Sequence, residues 1–139
     1  MDTIKYAVVC VDDDPFILQM LAFQLTKVVN QKHALIEYFT DPSEAFINID
    51  ALVEEKIDII FIIVDYQMPE MTGAQLIRAI KSKHPGLKCI MLSGQANELI
   101  VSELQKENLL ETFLSKPWNE KTLFDVIQPF IADTLVNQR

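Results

Sequence analysis

The chain has 139 residues, half of them apolar, and a formal net charge of −8 at pH 7. Apolar residues run through the whole length, so this is one globular domain that buries about two thirds of its unfolded surface and not a disordered segment. The acidic balance argues against nucleic-acid binding, and no apolar run approaches the ~20 residues that a membrane span needs.

The N-terminus MDTIKYAVVC lacks a signal-peptide layout. Cys10 and Cys89 sit inside apolar runs without CxxC spacing. They read as buried free thiols of a cytoplasmic protein. Residues 5–11, KYAVVCV, form a short continuous apolar run, as expected of a strand covered on both faces. DDDP follows, with Asp14 as N-cap and Pro15 in the first turn of a helix. The expected inward stripe of that helix is Phe16, Ile17, Met20, Leu21, Phe23, Gln24, Leu25 and Val28.

ALIEYF (34–39) is a second strand, and DPSE (41–44) opens a second helix with Asp41 as N-cap and Glu44 three residues on, close to a capping box. That helix turns Ala45, Phe46, Ile49, Leu52 and Val53 inward. Residues 57–73, IDIIFIIVDYQMPEMTG, carry a third strand that runs six apolar residues straight into Asp65. TGAQLIRAIKSKHPG is a third helix that must end before Pro85. LKCIML (87–92), NELIVSELQKEN, ETFLS (111–115) and a helix after Asn119 complete the pattern. Five strict βα alternations mean an α/β fold, a parallel sheet with helices on both faces. His33 and His84 have no carboxylate or second histidine at ligand spacing and read as surface residues. Trp118 serves either packing against the sheet edge or a partner surface.

In such sheets the ligand site lies beyond the carboxyl ends of the strands. Those ends carry Asp12 and Asp13, Asp65, Ser93 and Lys116, after strands one, three, four and five. Three carboxylates brought together repel unless a cation joins them, and hard oxygen ligands suit Mg²⁺. Lys116 supplies a further positive charge, and Ser93 a hydroxyl for a phosphoryl oxygen. A carboxylate nucleophile, a metal, a cation and a hydroxyl are the parts of phosphoryl transfer to aspartate. Asp14 is assigned to helix capping alone.

These motifs carry a resemblance. VDDD after strand one, VDYQMP with TG shortly after, LSG after strand four and FLSKP after strand five resemble the receiver domain of two-component response regulators, over about residues 4 to 128. The resemblance implies a flavodoxin-like sheet in the order 2-1-3-4-5, with a receiver domain at 1–128. Residues 129–139 are then a C-terminal helical extension or the start of a linker. It implies that Asp65 is the phosphoacceptor and that Asp12, Asp13, Asp65 and the backbone carbonyl of Gln67 hold Mg²⁺, with Mn²⁺ as a substitute. Ser93 and Lys116 meet the phosphoryl group, Phe113 takes the aromatic switch position, and Pro117 follows a cis peptide bond. The implied partners are a sensor histidine kinase or histidine phosphotransfer protein, and an effector domain or downstream protein. The face of helix four, strand five and helix five serves for output or for a homodimer.

Phe113 lacks the hydroxyl of a tyrosine, so a switch there must work by packing. The resemblance places Gln67 and Gln95 at positions that in the family flank the path of an attacking water. Two other functions remain in view. A Mg²⁺-dependent phosphatase of the haloacid-dehalogenase type would use Asp12 and Asp14, but Phe16 stands where its pattern needs Thr or Val. An unphosphorylated docking module would normally have lost Asp65, Asp13 or Lys116. Proline at 129 is expected to break the ladder of the fifth helix, with Phe130, Ile131, Leu135 and Val136 forming an apolar stripe beyond it.

Overall fold

A computed structural model describes residues 3–94 and 98–137. The strands are β1 (Tyr6–Val11), β2 (Ala34–Phe39), β3 (Asp58–Asp65), β4 (Cys89–Ser93) and β5 (Thr112–Ser115). They alternate with α1 (Pro15–Leu25), α2 (Pro42–Glu54), α3 (Gly73–Lys83), α4 (Glu98–Lys106) and α5 (Glu120–Asn137). Every strand pair is parallel, in the order β2-β1-β3-β4-β5. β1 is buried throughout and β3 from Ile59 onward. Strands covered on both faces have no polar face to show, which explains their unbroken apolar runs.

The two faces carry separate cores. Ala7, Val9, Val11, Ile62 and Val64 meet α2, α3 and α4 through residues such as Ile49, Ile77 and Leu104. Val8, Cys10, Phe61, Ile63 and Leu92 meet α1 and α5 through Leu21, Leu25, Leu123 and Ile127. Both cysteines are free and buried, as expected. Burial pushes both thiols above their ordinary value, so they are packing residues.

β1 and β3 do not pair in a single register. Ala7 lies beside Ile59 but Val8 beside Phe61, so Ile60 is an extra residue. Ile60 and Phe61 consequently face the same core, on the α1–α5 side. The bulge shifts everything after it by one residue and sets Val11 beside Val64 at the upper end of the sheet.

The helix starts follow their caps. Asp14 accepts a hydrogen bond from the Phe16 N–H and Asp41 one from the Ser43 N–H, each ahead of a first-turn proline. The reciprocal capping box forms at α3, where Gln75 N–H donates to Thr72 and Thr72 N–H donates to the Gln75 side chain. At α2 Asp41 accepts from the second amide of the helix, Ser43, and not from Glu44, so the expected box does not form and Asp41 caps the helix alone.

Three expectations need correction. On α1 the buried residues are Leu18, Leu21 and Leu25, whereas Phe16, Phe23 and Met20 are 76%, 67% and 45% exposed. The helix PFILQMLAFQL is apolar nearly all round, so its period does not select a face; the sheet does. α5 runs through Pro129 to Asn137 without a break. Pro129 is exposed, Ile131 is buried, and the Phe130 ring stands 6.1 Å from Phe61. An interior proline costs a helix about 3 kcal/mol, and burying these two apolar side chains, at roughly 1.5–3 kcal/mol for a full one, offsets it. The side chains of Leu135 and Val136 lie outside the described residues. His84 is half-buried and paired, its Nε2 lying 2.6 Å from Asp50 Oδ1 on α2, while Lys83 donates to the other oxygen at 2.7 Å. His33 is half-buried too. Spacing along the chain cannot show a carboxylate that packing delivers from another helix.

Candidate functional site

Register brings the strand ends level. Val11 beside Val64 puts the next residues, Asp12 and Asp65, side by side. Ser93 lies beside Ser115, so Lys116 begins the loop one step beyond Ser93. The Lys116 N–H donates to the Ser93 carbonyl at 2.8 Å, which turns the chain out of β5 at that level.

The side chains then converge. Carboxylate oxygens of Asp12, Asp13 and Asp65 all lie within 4.8 Å of one another. Lys116 Nζ donates to Asp65 at 2.8 Å and to Asp12 at 3.2 Å, bridging the two buried acids. Asp13 is exposed. The second oxygen of Asp12 accepts the Asp14 N–H at 2.9 Å, so the start of α1 holds that carboxylate's orientation. Asp14 itself spends its side chain on the Phe16 N–H, as assigned.

Gly73 brings α3 against the end of β3. Its N–H donates to the Tyr66 carbonyl at 2.7 Å, and a Cβ at this position would lie 2.9 Å from the Asp65 carbonyl carbon. Only glycine permits that approach. Tyr66 and Gln67 thus leave the strand along a path set by α3, and Gln67 stands exposed two residues beyond Asp65.

Electrostatics follow from this crowding. Burial above all pushes the Asp12 carboxyl up to about 6, with the Asp14 N–H pulling it down and the charge of Asp65 raising it further. Burial likewise raises Asp65, against the lowering effect of Lys116. Burial pulls the Lys116 ammonium down, but its bonds to Asp65 and Asp12 outweigh that and leave it above the ordinary lysine value. One ammonium thus faces three carboxylates, two of them buried. Oxygen donors with an unbalanced negative charge suit a hard divalent cation of the Mg²⁺ type, which prefers few protein ligands.

Ser93 is buried at the edge of this group, while Phe113 on β5 is 40% exposed. Both line a cavity of about 330 Å³ between β5 and α4, with Val101, Ser102 and Gln105. The Lys116–Pro117 peptide is cis, as the resemblance implied. Gln95 and the rest of its loop lie outside the described residues.

A family model for the response regulator receiver domain matches residues 8–128. The chain belongs to that family. This receiver is 30% identical over 117 residues to the transcriptional regulatory protein GlrR of Escherichia coli strain K12, a match covering 84% of this chain and 24% of GlrR. The receiver thus spans about a quarter of the length of the curated relatives it matches first. A receiver domain from Clostridium thermocellum superposes with a TM-score of 0.77 at 23% identity, covering 94% of this chain and 98% of the other. Vibrio cholerae chemotaxis protein CheY4 superposes at 0.72 and 26% identity, covering 90% and 98%. The receiver is a module of two-component signalling on a flavodoxin-like sheet, and the phosphatase alternative is not favoured. In the described residues no helix is long and apolar enough to cross a membrane.

Two contacts around the site escaped the reading of motifs. Trp118 packs against the α1–α5 core and donates its indole N–H to Gln24 on α1 at 2.9 Å. Lys27, beyond the end of α1, pairs with Glu120 at the start of α5 at 2.7 Å. A polar Gln24 within an apolar helix was the available signal for the first.

Proposed function

We propose that Asp65 is the phosphoacceptor of this receiver. Asp12, Asp13, Asp65 and the Gln67 carbonyl would hold Mg²⁺, with Lys116 and Ser93 meeting the phosphoryl oxygens. The observation that carries the reading is the convergence of acids from two strand ends on a single lysine from a third, with Lys116 joining Asp65 and Asp12 at 2.8 and 3.2 Å. Bound Mg²⁺ supplies positive charge that lets an anionic phosphoryl group approach the carboxylates. An Asp65 oxygen bonds to phosphorus as the bond from phosphorus to the donor's leaving atom breaks, and the leaving group departs with the electron pair. Lys116 is placed to stay with the acidic group and follow the charge onto the phosphoryl oxygens.

The donor is a sensor histidine kinase or a histidine phosphotransfer protein. Exposed Phe16, Met20 and Phe23 on α1 support a docked donor, since they recur at helical spacing and Met20 lines the hollow beside the loop that carries Lys116. Output runs through α4, β5 and α5, to an effector domain, a downstream protein or a second copy of the chain. The cavity beside Phe113 supports a switch in which that ring turns inward when Ser93 engages the phosphoryl group. The continuation of α5 past Pro129 supports residues 129–139 as a helical extension of the receiver.

Incubation with acetyl phosphate and Mg²⁺ tests the assignment. The parent should take up one phosphoryl group, seen as a mass increase, and Asp65→Asn none. Equal labelling of the variant would overturn the choice of Asp65. Chelation of Mg²⁺ should suppress labelling of the parent, since uncompensated carboxylates repel the anion.

A further inference from the structure

Lys116 is a long side chain at the start of a four-residue connection between β5 and α5, yet its ammonium must reach Asp65 and Asp12 together. The connection is held at both ends. At the front the Lys116 N–H bonds Ser93 O, and at the back Asn119 caps α5 by accepting the Thr122 N–H at 2.8 Å. Between them, packing against α1 is incomplete. Ile17 and Met20 of α1, with Lys116, Pro117 and Trp118 of the loop, line an open hollow of about 260 Å³. Shape alone therefore does not set the distance from the loop to the helix. Among the described residues, the side-chain hydrogen bond from the loop itself to α1 runs from Trp118 Nε1 to Gln24 Oε1 at 2.9 Å, half-buried, while the Lys27–Glu120 pair lies beyond both, exposed.

We propose that Gln24 and Trp118 are a positioning pair for phosphoryl transfer, holding the loop so that Lys116 stays over the acidic group. The proposal rests on Asp65 being the phosphoacceptor. α1 is a suitable anchor because its other end is already part of the site: the Asp14 N–H fixes Asp12, and Asp12 in turn accepts from Lys116. The pair closes a ring, from Asp12 through α1, Gln24, Trp118 and Lys116 back to Asp12. A packing role for Trp118 would need only its ring. The committed indole N–H, meeting a half-buried amide oxygen, is what packing does not require. Neither residue touches the reacting atoms, and the chemistry remains the transfer of a phosphoryl group from the donor's leaving atom to a carboxylate oxygen of Asp65, with acetate leaving when acetyl phosphate is the donor.

The test is the initial rate of labelling by acetyl phosphate in Mg²⁺, normalised to the folded fraction from circular dichroism. Gln24→Met removes the acceptor, Trp118→Phe keeps the ring but removes the donor, and Gln24→Glu keeps an acceptor. The first two should each slow labelling about tenfold, short of the ~10²-fold that a 1 Å misplacement can cost. The double variant should lose no more than either single one, and Gln24→Glu should stay near the parent rate. In a Lys116→Met background, where no ammonium is left to position, Gln24→Met should have no further effect. Parent-like rates for Gln24→Met and Trp118→Phe would overturn the proposal. So would an equal fold loss with and without Lys116, since that marks a general structural effect. Labelling of Asp65→Asn is a separate outcome, which overturns the phosphoacceptor assignment and leaves the dependence on Lys116 to be judged by its own ratio.

Discussion

Replacing Gly73 by alanine sets two physical effects against each other. No described glycine has a positive φ, so at Gly73 backbone conformation is no obstacle to a side chain. Helix propensity and unfolded-chain entropy then favour alanine by about 0.4–1 kcal/mol. Sterics oppose it. The new Cβ would press on the Asp65 carbonyl, 2.9 Å from its carbon, and stand 3.0 Å from Tyr66 Cα. These are backbone atoms, so no rotamer change relieves the contact. α3 must move off the end of β3 and stretch the 2.7 Å bond from Gly73 N–H to Tyr66 O. Overpacking costs about 1–3 kcal/mol, and losing much of that hydrogen bond about 0.5–1.5 kcal/mol more. The net expectation is a loss of about 0.5–4 kcal/mol after the propensity gain is subtracted. Urea denaturation followed by circular dichroism measures it. Gly86→Ala is the control, because nothing lies within 4 Å of a Cβ there; it should be neutral or more stable by up to about 1 kcal/mol. The displaced Asp65 should also make Gly73→Ala slow to label with acetyl phosphate. A Gly73→Ala protein as stable as Gly86→Ala, and labelled at the parent rate, would refute the argument from close approach.

Two further outcomes follow from the charges and the cavity. Asp12 is raised from 3.8 to about 6 in the folded protein, so the folded state holds that proton more tightly than the unfolded chain; with the metal chelated, its contribution to stability is greatest below the unfolded value and is lost as pH rises toward about 6, by at most ~1.36 kcal/mol per pH unit. Urea titrations from pH 4 to 7 should show this loss as a difference between the parent and Asp12→Asn, and identical slopes for the two would refute it. Ser93→Ala should still accept a phosphoryl group, yet fail to change hydrogen exchange in α4 and β5 on phosphorylation, because Phe113 then gains no reason to enter the cavity beside it. A full response in that variant would show that the switch runs by another route.

Much of this receiver was legible in its sequence because the informative signals are local. Strict alternation of apolar runs and helical stripes marked five βα units, and N-caps with proline after them, Asp14–Pro15 and Asp41–Pro42, marked two helix starts to the residue. Polar residues closing apolar runs marked the site edge: a lone Asp after a strand can be a helix cap, but Asp12, Asp13, Asp65 and Lys116 fall together at the same edge. Whatever depended on which face or neighbour an element meets was not legible. α1 is apolar all round, and only the sheet decided that Leu18 is buried and Phe16 exposed. Asp50 and His84, or Gln24 and Trp118, are far apart along the chain and were joined by packing alone. The register of β1 on β3 is the deepest case. Carried on from Ala7 beside Ile59, it would set Asp12 beside Val64; the bulge at Ile60 instead leads to Asp12 beside Asp65. The run from Ile59 to Val64 is apolar at every position, because both faces of β3 are buried, so no alternation in the sequence records that one-residue shift. The sequence by itself determined which acids reach the edge of the sheet, and tertiary pairing decided that they stand within reach of one lysine.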